Sequence, residues 1–139
     1  MIAARSLFTL ALALAAAPAW AQSMLPGEWR ISIGSPAMPG ASSATATQCI
    51  ARSQADDGPA VIARRVRPRA DCTTTSAPAG YGEYAWTFDC PQSHMHGEGR
   101  LRYRSTELEG QIRSSSSIGG ANVDMTQKLS ARRIGPCAK

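Results

Sequence analysis

The chain has 139 residues, 15 of them basic and 10 acidic, for a formal net charge of +5. That length leaves room for one domain. Beyond the first 21 residues no stretch approaches the ~20 consecutive apolar positions needed to span a membrane.

Chain order begins with a leader. Arg5 precedes an apolar run from Leu7 to Ala17, and small residues stand at Ala19 and Ala21 around Trp20. This is the pattern of a secretory signal peptide, with cleavage expected between Ala21 and Gln22 and a single β-rich domain over 22–139. Arg5 leaves with the leader, which lowers the net charge to +4. Of the apolar residues that remain, many are Ala and four are Cys. The core is therefore thin for a domain of this size.

All four cysteines, Cys49, Cys72, Cys90 and Cys137, follow the leader, and none forms a CxxC pair. An even count in a small exported domain reads as two disulfides rather than a redox centre or zinc knuckle. The residue directly after the cleavage site is Gln22 and not a cysteine, so a lipid anchor is not expected. The compartment expected is the periplasm or the exterior.

The first strand is Gly27 to Ile33, where Trp29, Ile31 and Ile33 alternate with Arg30 and Ser32. That is the period of two of a half-buried strand. Pro36, Pro39 and Gly40 break it, and a second strand ends near Cys49 and Ile50. Ser53 is expected to cap a short helix with Asp56 and Asp57 near its positive end, and Gly58-Pro59 to interrupt it before another turn over Val61–Val66.

Strands resume at Thr73–Thr75 and Tyr84–Cys90, separated by Pro78, Gly80 and Gly82. A turn centred on position 81 sets Cys72 opposite Cys90, within reach of a disulfide, and Cys49 and Cys137 pair by elimination. The next hairpin runs Gly97–Arg104 and Glu107–Arg113 about Ser105-Thr106, with Leu101, Tyr103, Leu108, Gly110 and Ile112 inward. A loop is expected from Ser114 to Gly120. Val123, Met125, Gln127, Leu129 and Ala131 then form the inward face of a last strand. The fold class is all-β: an antiparallel meander of about seven strands, curved or partly closed into a barrel, with one short helix.

Several short motifs fall in one order: Gly27-x-Trp29, Met38-Pro39-Gly40, Gln48-Cys49-Ile50, Asp71-Cys72, Trp86-x-Phe88-x-Cys90, Gly97-x-Gly99, Glu109-Gly110 and Arg133-Ile134-Gly135-Pro136-Cys137. The ordered set resembles the small exported bacterial proteins of the domain-of-unknown-function 3617 family, from Gly27 to Cys137. The resemblance implies an exported β-rich domain and carries no activity with it. The segment after Met38-Pro39-Gly40 lacks the further Met and Pro residues often seen there, and His94 and His96 flank Met95.

His94-Met95-His96 is the one segment with metal-ligand chemistry. It offers no third or fourth ligand, so a polar hairpin turn accounts for it and no metal or other cofactor is expected. Catalysis has little support, because both histidines lie in one segment and no Gly-x-Ser-x-Gly elbow is present. The chain is read as no enzyme, and nucleic acid is not expected for an exported chain.

Two basic clusters remain. Arg100, Arg102 and Arg104 are expected on the solvent side, with Arg104 facing Glu107 and Arg102 facing Glu109. Arg64, Arg65, Arg67 and Arg69 have only Asp71 nearby, and they form the candidate contact with an anionic envelope surface. Trp29, Trp86, Phe88 and Tyr103 either fill the core or line an apolar pocket in a half-open barrel. The sequence thus favours a non-enzymatic periplasmic domain that binds an apolar small molecule or an envelope partner. The alternative is a structural or stress-associated envelope protein with no small ligand.

Overall fold

The computed structural model describes residues 23–35, 44–67 and 69–139. The leader, its cleavage site and the Met38-Pro39-Gly40 motif lie outside the described residues. Seven strands form one antiparallel sheet: β1 (Gly27–Gly34), β2 (Ala44–Ile50), β3 (Thr73–Ala77), β4 (Glu83–Cys90), β5 (Met95–Tyr103), β6 (Glu107–Ile118) and β7 (Ala121–Gly135). Their spatial order is β2-β1-β7-β6-β5-β4-β3, curled into a half-barrel. From β3 to β7 the sheet is a meander in chain order. The β1–β2 hairpin joins it through β1, which pairs with the far end of the chain as Trp29↔Arg133 and Ile31↔Ala131.

The period-two alternation decides which face is buried. Trp29, Ile31, Trp86, Phe88, Leu101, Leu108, Ile112 and Leu129 all point to one side and are buried there. The helix α1 (Gly58–Arg65) lies across that side, touching β2 near one edge of the sheet and β4 and β5 toward the other. Its Ile62 and Ala63 are fully buried, as is Met24, which packs against Gly58. The core is the space between the helix and the inward face of the sheet.

Both expected disulfides are present, Cys49–Cys137 and Cys72–Cys90. The two edge strands of the sheet are β2 and β3. Cys49 lies on β2 and bridges over β1 to the chain just past β7, while Cys72 immediately precedes β3 and bridges to the end of β4. Each covalent link therefore fastens one edge strand, where hydrogen bonding is available on one side only. The hairpin register behind the second link is Thr73↔Asp89 through Ala77↔Ala85, centred on position 81 as the sequence predicts.

Three local expectations are corrected. Gly58-Pro59 opens the helix instead of interrupting it, and Ser53 belongs to a separate 3-10 turn, Arg52–Gln54. Proline has no N–H to lose in a first helical turn and its fixed φ suits that position. The stretch from Ser114 to Ile118 continues β6, and the turn is confined to Gly119 and Gly120, with φ of 60° and 82°. Two glycines at positive φ make the tight turn whose twist matches paired strands, and this overrides the weak strand preference of serine. Finally, Val123 and Met125 stand on the inward face yet are exposed, at 43% and 50%. The β6–β7 hairpin extends past the end of β1, whose last partner on β7 is Lys128, so this tip lies beyond the core.

Candidate functional site

The inward face is filled by its own side chains. Trp29 is fully buried, and Trp86 and Phe88 are 2% and 3% exposed. Trp29 also donates from Nε1 to the Leu25 carbonyl at 3.0 Å, which satisfies the one polar atom of its ring. Tyr103 is partly buried against the core. Of the four aromatics considered as pocket lining, three are core residues, and Tyr103 borders a groove that opens on the other face.

The glycine motifs belong to this packing. The Trp86 ring lies over the backbone of Gly99, and Phe88 over that of Gly97, leaving no room for a Cβ at either position. Gly110 is likewise closed off by Leu101. Paired positions on adjacent strands, Trp86↔Gly99 and Phe88↔Gly97, allow each ring to cover its neighbour's bare backbone. Tyr84 continues the aromatic row, stacked on Trp86 with centroids 5.8 Å apart. Burial raises the Tyr84 phenol above its ordinary value, an effect that the Arg64 charge opposes and Asp57 reinforces.

Open space is found on the outward face. One groove of about 910 Å³ is bordered by Arg30, Ser32, Arg104, Glu107, Ser130 and Arg132, with Tyr81 at its rim. A second, of about 620 Å³, adds Arg100, Gln111 and Lys128 and shares Glu83, Arg102, Glu109 and Ser130 with the first. The two are continuous. Six cationic side chains line the combined trough against three carboxylates.

Register explains this distribution. Arg30 and Arg132 stand directly opposite each other across β1 and β7, and Arg132 stands opposite Glu107 across β7 and β6. The ion pairs differ from those the sequence suggests. Arg132 pairs with Glu107 at 3.3 Å, and Glu83 takes both Arg102 at 3.3 Å and Arg100 at 3.9 Å. Arg102 stands opposite Glu109 and Arg104 beside Glu107, as the sequence predicts, but the ion pairs form on the other side, from Arg102 to Glu83 and from Arg132 to Glu107. These are exposed pairs, worth at most about 1 kcal/mol each. The sequence does place Arg30 and Arg132 on polar positions of their strands. It misses the trough because nothing local indicates that β1 lies beside β7.

The remaining candidates are dispersed. His94 ends a 3-10 turn, Pro91–Ser93, in the left-handed region at φ 48°, and His96 lies on β5 between Asp89 and Ser115. Among the described residues no group of three His, Cys, Asp or Glu side chains has the geometry to hold a metal ion. Arg64 and Arg65 are exposed in the last turn of α1, with Arg67 and Arg69 exposed after it. Among the described residues no helix is long and apolar enough to cross a membrane.

A disulfide-stapled antiparallel half-barrel, closed by one helix and carrying a charged trough on its outward face, is the class of domain these features define. The chain belongs to the family described as Protein of unknown function (DUF3617), whose model matches residues 24–137. No curated protein and no solved structure matches the chain. Two disulfides place such a domain in an oxidising compartment outside the cytoplasm.

Proposed function

We propose that this is a periplasmic or secreted, non-enzymatic binding domain that engages an anionic partner of the cell envelope. The observation that carries the reading is the contrast between the two faces of the sheet. The inward face is occupied by Trp29, Trp86 and Phe88, whereas the outward face is open and carries an excess of arginine. A partner on the outward face is therefore better supported than an apolar small molecule among the core aromatics. The basic group Arg64, Arg65, Arg67 and Arg69 adds to the attraction, since a surface of one sign raises the encounter rate with an oppositely charged partner. The leader before Gln22 supports export, and the absence of a nucleophile–base set in the sequence supports a binding role.

The test is cosedimentation with isolated cell envelopes, using protein expressed from the full chain and recovered from the exported fraction. Its N-terminus is expected at Gln22. The domain is expected in the pellet at about 50 mM salt and in the supernatant at about 300 mM, where screening is stronger. Protein that stays in the supernatant at both concentrations overturns the reading. A lipid that survives native mass spectrometry in one-to-one complex, with no envelope binding, replaces it with the small-molecule role.

A further inference from the structure

The charges in the trough are not balanced locally. Arg30, Arg132, Glu107 and Arg104 lie in one row across β1, β7, β6 and the end of β5. Three guanidinium groups share one carboxylate, and that carboxylate bonds Arg132. Like charges directly opposite each other in a sheet are unfavourable, so the Arg30–Arg132 pairing is a cost the fold carries unless an anion lies between them. The row extends over three strand spacings, roughly 14 Å.

The next row differs in kind. Ser32 and Ser130 face each other, followed by Glu109. Arg102 is drawn to Glu83, which leaves the Glu109 carboxylate as an acceptor beside two hydroxyls. Tyr81 stands at the rim and is 75% exposed. Spaced cations, neighbouring hydroxyls, an acceptor carboxylate and an exposed aromatic ring suit a chain that carries both acid groups and many hydroxyls.

We propose that the trough binds an acidic oligosaccharide, with its carboxylates at Arg30, Arg132 and Arg104 and a sugar ring against Tyr81. This deepens the envelope-partner reading and rests on it. Arg30 and Arg132 give paired, charge-assisted hydrogen bonds to a sugar carboxylate, the geometry for which arginine is suited. Ser32, Ser130 and Glu109 meet the ring hydroxyls, and each of these groups is already on the correct face.

The experiment is calorimetric titration of the exported protein with a galacturonate hexamer, a neutral dextran hexamer, inorganic phosphate and phosphatidylglycerol vesicles. The galacturonate hexamer is expected to bind, more weakly as salt rises, and dextran is not. Arg30→Gln combined with Arg132→Gln should weaken binding at least about tenfold. Tyr81→Ala should weaken it less, and Arg113→Gln, on β6 but outside the trough, should leave it unchanged. Melting temperature and circular dichroism of each variant separate lost binding from lost fold. Equal binding of dextran, equal binding of phosphate, or no effect of the Arg30 and Arg132 changes overturns the proposal. Binding to vesicles alone also overturns it while leaving the envelope reading in place. Failure to bind envelopes as well as every probe removes both.

Discussion

The six-membered ring of Trp86 lies directly over the backbone of Gly99, its partner across β4 and β5. The contact replaces a side chain that β5 lacks with one that β4 supplies in excess. It allows a thin set of large apolar residues to cover the inward face without a gap. Gly99→Ala should therefore force the indole off its site and cost about 1–3 kcal/mol, the range of overpacked cores. Urea unfolding followed by tryptophan fluorescence measures it. Gly119→Ala is the comparison, since its site is open and only its positive φ resists a side chain. Equal and small losses at the two positions would show that the ring is not held there.

The disulfides close loops of different length, with sequence separations of 18 for Cys72–Cys90 and 88 for Cys49–Cys137. Chain entropy predicts ~3 kcal/mol for the short loop and ~4.6 kcal/mol for the long one. Replacing Cys49 and Cys137 by Ser should thus lower the melting temperature more than replacing Cys72 and Cys90. The reverse order would mean that edge strand β3 depends on its link more than β2 does.

Arg133 donates from Nε to the Pro26 carbonyl at 2.8 Å and crosses above Gly27, where an added Cβ would lie 2.6 Å from that nitrogen. The bond ties the start of β1 to the end of β7. Arg133→Gln should cost about 1.5–3 kcal/mol, as expected for a hydrogen bond from a charged donor. Arg133→Lys should recover little of it, because a flexible ammonium does not reproduce a planar donor lying over the chain. Chemical denaturation of both variants decides this, and full recovery by lysine would count against the geometry.

Tyr84 provides a pH signature. Its phenol is raised above 10.0 in the folded protein, chiefly by burial, so the unfolded chain loses this proton first as pH rises. Between 10.0 and the folded value the native state holds more protons than the unfolded state, and stability falls with pH. Its contribution is complete below 10.0 and is lost as pH rises through the folded value. Tyr84→Phe should flatten the alkaline decline in stability, which thermal melts from neutral to strongly basic pH would record. An unchanged decline would place the responsible group elsewhere.

Alternation of side chains along an extended chain is a local property, and it identified the core directly. Trp29 and Ile31, Trp86 and Phe88, and Leu129 and Ala131 are buried where their period of two places them. Hairpins are nearly as local. Their turns set the register, which makes Cys90 legible as the partner of Cys72 and leaves Cys137 to Cys49 by elimination. The serine run gives no strand signal of its own, because its strand character comes from β5 and β7 on either side. The ion pairs are not legible for a related reason. A residue inside a sheet has a neighbour on each side, and the sequence showed only the hairpin side for Arg102 and Glu107. The trough required the pairing of β1 with β7, a contact between the two ends of the domain that no local pattern encodes. Which face a side chain takes is decided by covalent geometry, residue by residue, although Val123 and Met125 stay exposed because their hairpin tip reaches past the core. Which charges face one another across the outward surface is decided by strand order, and strand order exists only once the sheet has assembled.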